Sequence, residues 1–499
     1  MRAVTGRTDH VVVVGAGLAG LSATLHLLGA GRRVTVVERD EVPGGRAGRL
    51  DLGGYSFDTG PTVLTMPELV DEALHAVGDS LADRLPLDPV DPAYRARFAD
   101  GAVLDVHADG DAMEEEVRRF AGPAEAAGYR ALRAWLTELY RVEKDAFIGA
   151  NFDSPLSLVT PGLARLAALG GFARLGPSVA RFLRDERLQR VFSFQSLYAG
   201  VPPRKALAAY AVIAYMDTVA GVYHPRGGMR ALPDALAASA RDAGADLRFS
   251  TRVAWLERIG GRVTAVRTAQ GERIPCDAVV LTPDLPTSYR LLGHRPRRPV
   301  RMTWSPSAVV LHAGTRRRWP ELAHHTIFFG REWDRTFEEL TRRGTLMSDP
   351  SLLVSAPPGQ GVFVLAPAPN LRVGPIDWER VGPAYRDELV GVLESRGLTG
   401  FGASVEVERL VTPRDWARLG LVAGTPFSAA HTFAQTGPFR PRNLVSGLEN
   451  AVLAGCGTTP GVGVPPVLIS GRLAARRITG SGAAASPRRA ARPRARSPR

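Results

Sequence analysis

The sequence predicts an α/β protein, and three features near its start carry that expectation. Residues 11–14 are an unbroken run of valine, the pattern of a strand buried on both faces of a parallel sheet. A glycine-rich turn, Gly15-Ala16-Gly17-Leu18-Ala19-Gly20, follows at once and opens a helix-length apolar segment with Leu21, Ala23, Leu25, Leu27 and Leu28. After Gly29-Ala30-Gly31, residues 34–37 form a second strand closed by Glu38. Strand, turn, helix, strand and acid make one complete dinucleotide-binding unit.

The remaining elements are read in chain order. Residues 71–139 are mixed, with a short polar hairpin over 98–106 and helices after it, and 155–220 reads as consecutive helices. A helix over 231–243 and strands over 247–253, 263–268 and 278–281 return the chain to an α/β region. Short strands such as 308–312 and 363–366 suggest a second sheet. A strand at 451–454, a Gly/Pro loop over 455–466 and a helix over 467–478 form the last unit, and no internal repeat is present. At 499 residues, two or three structural units are expected.

Composition narrows the class. Apolar residues at 45% and charged residues at 23% are the balance of a folded globular protein. The net charge of +13 is almost all arginine, since Lys144 and Lys205 are the only lysines. Six arginines lie in the tail after Ser481 without an acidic neighbour, and without them the charge falls to +7. With no aromatic residues among them they read as a disordered basic end, and no nucleic acid is expected as a partner. Cys276 and Cys456 are too few and too far apart for a disulfide framework, so nothing argues for secretion. Gly15 and Gly17 break the first apolar run too soon for a signal or a membrane span. A cytoplasmic enzyme with at most peripheral contact to the cytoplasmic membrane is expected.

In the turn, the first glycine permits the tight bend, the second lets backbone approach the pyrophosphate, and the third lets helix and strand pack closely. Gly15, Gly17 and Gly20 occupy those places, the helix N-terminus favours the anion, and Glu38 supplies an acceptor for ribose hydroxyls. Beyond Glu38 come Gly44-Gly45-Arg46, Gly53-Gly54 and Phe57-Asp58-Thr59-Gly60-Pro61-Thr62. Two further glycine turns and an arginine suit a cofactor longer than one turn would hold, which points to FAD rather than NAD.

From residue 11 to 62 the chain resembles the flavin-binding signature of bacterial phytoene desaturases, which are themselves similar to the amine oxidase superfamily. The resemblance continues through Phe192-Ser193-Phe194-Gln195, Tyr223-His224-Pro225-Arg226-Gly227-Gly228-Met229, Leu322-Ala323-His324-His325-Thr326, Phe439-Arg440-Pro441 and the run from Gly455-Cys456-Gly457 to Gly463-Val464-Pro465. It implies a Rossmann-like FAD-binding domain over 8–66, 222–290 and 441–480. An inserted mixed-sheet substrate domain would cover 67–150 and 291–440, with a helical, membrane-facing subdomain at 151–221 and a disordered tail at 481–499. It also implies site residues. Gly15, Gly17 and Gly20 would hold the pyrophosphate, Glu38 the adenosine ribose, and Arg46, with Gly45 beside it, the phosphate or ribityl side. Gly60, Pro61 and Thr62 would lie near the flavin ring, and Val253 would meet adenine through its backbone. Gly455, Gly457, Gly463, Val464 and Pro465 would close over the isoalloxazine and ribityl chain. Thr459 stands where many relatives have histidine, and Pro466 replaces a smaller or more flexible residue.

The implied reaction is desaturation of a carotenoid precursor, phytoene above all, to more conjugated products such as lycopene. It needs a hydride acceptor, which flavin N5 supplies, and a proton sink. The sequence names no catalytic acid or base. His324-His325 is the most tempting pair, but one solvent-facing and one structurally bonded histidine is the expected arrangement. His224 and Asp58 are similar, with turn capping expected of Asp58, and Tyr55 and Phe57 read as core. No metal spacing is present. Alternatives are another carotenoid-group flavoenzyme (a later desaturase, ketolase, isomerase or saturase), an amine oxidase, and a non-catalytic lipid carrier on the same fold. The expected partners are a long polyene, a membrane surface, and oxygen or a quinone as electron acceptor. Residues 155–184 carry Leu156, Leu158, Leu163, Leu166, Leu169, Phe172, Leu175, Val179, Phe182 and Leu183 among Arg165, Arg174, Arg181 and Arg184. That composition fits either a membrane-docking face or a buried helical pair with its arginines in water.

Overall fold

The computed structural model describes residues 2–153, 159–294 and 301–480. The basic tail and residues 155–158 of the amphipathic segment lie outside the described residues.

The valine run becomes the strand His10–Val14, the middle strand of a five-stranded parallel sheet. Arg33–Val37 and then Asp246–Arg248 lie on one side of it, Ala278–Leu281 and then Ala451–Leu453 on the other. The chain therefore reverses its winding direction at His10–Val14, and a doubly wound sheet opens a crevice at the carboxyl ends of the strands where that happens. The strand's two faces feed two cores. Val11 and Val13 pack with the helices Leu18–Gly29, Ala231–Asp242 and Val464–Thr479, while Val12 and Val14 pack toward the antiparallel strands Val253–Ile259, Arg262–Thr268 and Arg273–Pro275. The first and last helices touch directly: Ser22 Oγ donates to the carbonyl of Leu468 at 2.8 Å.

A second, mixed sheet of seven strands runs in the order Val405–Val411, Ser307–Thr315, Val362–Ala368, Leu352–Ser355, His325–Phe329, Tyr94–Phe98 and Val103–Val106. Its one parallel pairing joins His325–Phe329 to Tyr94–Phe98. The expected hairpin over 98–106 is the pair Tyr94–Phe98 and Val103–Val106. Two short strands link the halves: Leu64–Thr65 and Leu87–Pro89 both pair with Val222–Pro225.

Three sequence expectations change. The strand expected over 247–253 stops at Arg248, because Ser250 has a φ of 51° and Ser250 N–H and Thr251 N–H donate to the carbonyls of Asp40 and Glu38. Val253 starts a different strand. The last helix begins at Val464 rather than 467, so Pro465 and Pro466 sit in its first turn, where amide protons have no intrahelical partner to lose. Among the described residues of 155–220, the α-helices are the short Pro161–Ala168, Leu175–Val179, Glu186–Val191 and Ala211–Thr218, with 3₁₀ turns at Phe194–Leu197 and Ala208–Tyr210. Leu166, Leu175, Val179 and Leu183 point inward and are buried, while of the large apolar residues in that stretch Val159 and Phe172 are exposed. Most of the stretch is a packed helical layer with its arginines outside.

Candidate functional site

Gly15 occupies a turn that only glycine suits: its φ is +104°, and a Cβ there would lie 2.2 Å from Thr282 Oγ1. A Cβ on Gly20 would lie 2.0 Å from the carbonyl oxygen of Gly15. Gly20 therefore seats the helix on the strand, and it does not line the cavity beside Gly15 and Gly17. Its expected part in holding pyrophosphate directly is corrected to this packing role.

Glu38 is 6% exposed, and its carboxylate joins the two turns that flank it. Oε2 accepts from Ala16 N–H at 2.7 Å and Oε1 from Asp40 N–H at 3.0 Å. Those bonds orient the carboxylate and leave its other lone pairs for donors in the cavity. Gly44 N–H donates to the Ala16 carbonyl at 2.9 Å, laying the second glycine turn across the first. From that turn the Arg46 guanidinium reaches Cys456 Sγ and comes within 3.9 Å of Asp284.

These residues line one end of a cavity of about 1930 Å³. It takes in Gly15, Gly17, Glu38, Gly45, Arg46, Gly60, Pro61, Thr62, Val253, Gly455, Gly457, Gly463, Val464 and Pro465. Fourteen of the fifteen residues expected at a cofactor thus converge. The donor set fits an FAD: two helix N-termini, Gly17 before Leu18–Gly29 and Gly463 before Val464–Thr479, for anionic or electron-rich groups, and one oriented carboxylate for ribose hydroxyls.

The loop after Leu453 is held by Arg440, a side chain 2% exposed. Its Nε donates to the Thr458 carbonyl at 2.9 Å and its Nη2 to the Cys456 carbonyl at 2.6 Å. Thr458 Oγ1 donates back to the Pro441 carbonyl at 2.6 Å. The role of Arg440 was not legible beforehand, although it stands in the Phe439-Arg440-Pro441 segment.

The histidines support the middle of the cavity. Thr62 Oγ1 and His325 Nε2 are 2.8 Å apart, and His324 Nε2 is 3.4 Å from the Thr62 carbonyl. His325 is buried and His324 half-buried. Burial lowers the pKa of His324 to about 4 and of His325 to about 3, so both are neutral supports for the Gly60-Pro61-Thr62 turn. Asp58 Oδ1 accepts from Met229 N–H at 2.9 Å, a long-range bond in place of the local turn capping expected of it, and His224 Nε2 lies 3.6 Å from Asp58 Oδ2.

Beyond the turn the wall becomes apolar, with Phe152, Leu163, Leu166, Phe172, Ile213 and Met216. Two carboxyls interrupt it. Glu143, 5% exposed, has no hydrogen-bond partner for Oε1, and burial raises its pKa well above the ordinary carboxylate value. Asp217 lines the cavity, and burial pushes its pKa up to about 7. A lone acid in the apolar helix Ala211–Thr218 was the available sequence signal for Asp217.

The family model described as flavin containing amine oxidoreductase matches residues 18–479. A phytoene dehydrogenase from Streptomyces griseus is 67% identical over 502 residues, covering 98% of this chain and 99% of that protein. A lycopene-forming phytoene desaturase from a Paracoccus species is 33% identical, covering 95% and 98%. Among solved structures, putrescine oxidase with bound putrescine superposes with a TM-score of 0.60 at 14% identity, over 95% of this chain and 99% of that one.

The raised pKa of Asp217 has a consequence for stability. Folding favours its protonated form, so the contribution is full below the ordinary carboxylate pKa and is lost as pH rises through about 7. In the flavin-loaded protein, Asp217→Asn flattens the fall of the thermal midpoint between pH 5 and 8 and raises the midpoint most at pH 8. Parallel pH profiles for variant and wild type would contradict the assignment.

Proposed function

The chain belongs to the flavin containing amine oxidoreductase family, and from that premise we propose that it desaturates phytoene, or a closely similar carotenoid precursor, with FAD as its redox cofactor. The observation that carries this reading is the single cavity. At about 1930 Å³ it is roughly twice the upper end of the ~300–1,000 Å³ typical of small-molecule sites. A dinucleotide end and an apolar end open into the same space, which suits a cofactor and a long hydrocarbon meeting end to side.

When bound, FAD supplies a hydride acceptor at its ring. The chain's residues bind, align and keep dry. Gly17, Glu38 and Arg46 would hold the pyrophosphate and ribose, and Val253 would lie at the adenine end. Gly60, Pro61, Thr62 and the loop from Gly455 to Gly463 would frame the ring, which Arg440 and the two buried histidines keep in register. The apolar wall holds the polyene against that frame and excludes water, so that alignment is fixed before reaction. The domain division at 8–66, 222–290 and 441–480 against 67–150 and 291–440 fits this split of labour, although helix Glu68–His75 packs into the core of the parallel sheet.

Other readings fit less well. An amine oxidase has no use for so long an apolar arm, and a carrier without chemistry would not keep the turn glycines and the oriented Glu38. One complete dinucleotide unit argues for an external electron acceptor, oxygen or a quinone, rather than for NAD. Incubation of the purified protein with phytoene in liposomes yields carotenoids of longer conjugation, seen by absorbance and chromatography, at rates indifferent to added NAD. Formation of no new chromophore, or an absolute need for NAD, would overturn the proposal.

The membrane reading moves with the structure from the helical stretch to the rim of the cavity. Phe172, Phe433 and Phe439 are 46%, 59% and 47% exposed and also line the cavity. One chain of bonds ties them together: Ala209 N–H donates to the Gly171 carbonyl at 2.9 Å, and Tyr210 Oη lies 2.6 Å from Thr436 Oγ1. Exposed rings at the mouth of a hydrocarbon tunnel suit a lipid surface. Among the described residues no helix is long and apolar enough to cross a membrane. Changing Phe433 and Phe439 together to Ser lowers flotation with anionic liposomes while flavin is retained; undiminished flotation would remove this rim from the account.

A further inference from the structure

Desaturation needs a proton acceptor that the substrate can touch, and most polar groups around the cavity fail that requirement. The unpartnered nitrogens of His312, Nε2 of His431 and Oε1 of Glu143 are themselves buried. His325 Nε2 is engaged by Thr62, and Glu38 is committed to the amides of Ala16 and Asp40 at the dinucleotide end. Asp217 differs from all of these. It lines the cavity and is only half-buried, and among the described residues its carboxyl has no hydrogen bond or ion pair. Neither oxygen is one of the sealed-off polar atoms. An unbonded oxygen that is not sealed off is open to what fills the cavity.

Its surroundings tie it to the turn expected at the flavin ring. Met216, the preceding residue, packs in one core with Leu64 and Met66, which continue the chain from Gly60-Pro61-Thr62. Val222, five residues after Asp217, pairs with Thr65, and both line the cavity. Across the cavity Arg95 pairs with Thr326, so Tyr94 and His325 stand side by side one residue earlier on the two parallel strands. His325 in turn holds Thr62. Tyr94 is within reach of the Asp217 charge: burial, and after it that charge, raise the tyrosine pKa well above its ordinary value. The same two causes raise Tyr198, which joins Tyr94 through Phe194 with ring centroids 5.5 and 5.8 Å apart. Asp217 thus meets two neutral tyrosines beside the segment that leads out of the ring-facing turn.

The chemistry of such a carboxyl suits the missing role. Although part of its surface is open, the protein around it is dense enough that burial pushes its pKa up to about 7. A base poised near the working pH is present in its acceptor form and still takes up a proton readily. With no cation paired to it, its charge is free to stabilise positive charge that develops on a polyene lying against it.

We propose that Asp217 is a catalytic residue of the desaturation, its carboxylate taking the proton that leaves the substrate. The inference rests on the desaturase reading above. One C–H bond breaks with its electron pair departing as hydride to the bound oxidised flavin. The adjacent C–H bond breaks with its proton passing to a carboxylate oxygen of Asp217, and the pair it leaves behind forms the new C=C bond. Hydride and proton together amount to two electrons and two protons. The external acceptor takes them, oxygen leaving as hydrogen peroxide or a quinone as its quinol, and the carboxylate is restored.

The test pairs kinetics with a readout that needs no turnover. Flavin-loaded Asp217→Asn is expected to keep its flavin content and its KM for phytoene in liposomes while kcat falls about 10²–10⁴-fold. Wild-type kcat should rise with pH through about 7 as the carboxyl ionises, and the residual activity of the variant should lose that rise. Tyr94 and Tyr198, the titratable groups facing it, stay neutral across that range. In the flavin-loaded protein at rest, infrared difference spectra should show a protonated-carboxyl C=O band that disappears with a midpoint near pH 7 and is missing from Asp217→Asn. A kcat in Asp217→Asn close to that of wild type, or no such band, overturns the proposal. If Asp217→Asn does not load flavin, the wild-type profile decides: a kcat that rises with pH supports the role, and one that is flat or falls overturns it. A wild type that converts no phytoene while the carboxyl titrates as expected refutes the desaturase reading, and the proposal falls with it.

Discussion

Arg440 sits where the fold's two ends and its chemistry meet. A guanidinium taken out of water must give each of its N–H groups an acceptor, or the cost of burial is not offset. Here the carbonyls of Cys456 and Thr458 serve, and both belong to the loop between the last strand and the last helix. The requirement works in both directions. The loop gains a fixed path across the cavity, and Arg440 can be buried only if the loop takes that path. The same loop carries Gly461, against which His431 lies, and Gly463, which opens the helix Val464–Thr479. The path of the loop at the edge of the cofactor space follows from how this one cation is satisfied.

A second theme is charge suppression. His324, His325 and His431 are all driven toward the neutral form by burial, and Glu143 and Asp217 are driven toward theirs. A cavity meant for a hydrocarbon gains nothing from fixed charge beside it, and a neutral wall lets an apolar chain slide in without displacing tightly held water. Glu38 and Arg46 lie instead at the dinucleotide end, where they would face polar parts of the cofactor. This division between a polar end and a neutral arm separates the protein from a site built around a small amine.

The parallel sheet and the cofactor turn were legible in the sequence because they are local. Residues 11–14, the three glycines and Glu38 lie within one stretch whose periodicity and turn chemistry agree. Gly20 was read correctly as a packing glycine from the motif's geometry and less well when treated as a phosphate ligand. The break at Ser250 was not legible, since residues 247–253 keep a strand-like pattern and the interruption comes from bonds to Glu38 and Asp40, over 200 residues earlier. The amphipathic stretch after residue 155 carried a true pattern of apolar and basic residues. Its apolar side turned inward because neighbouring helices were there to cover it, which no local pattern records. His431 and Tyr210 are 221 positions apart, and only the fold brings them together.

The central claim is that flavin and polyene share one cavity and exchange a hydride there. Anaerobic mixing of the FAD-loaded protein with phytoene in liposomes, without nicotinamide, tests it most directly through the flavin absorbance and the carotenoid spectrum recorded together. The account predicts that flavin absorbance is lost one-for-one with each carbon–carbon double bond gained. Flavin that stays oxidised while double bonds form, or that bleaches with no change in the carotenoid, would contradict it.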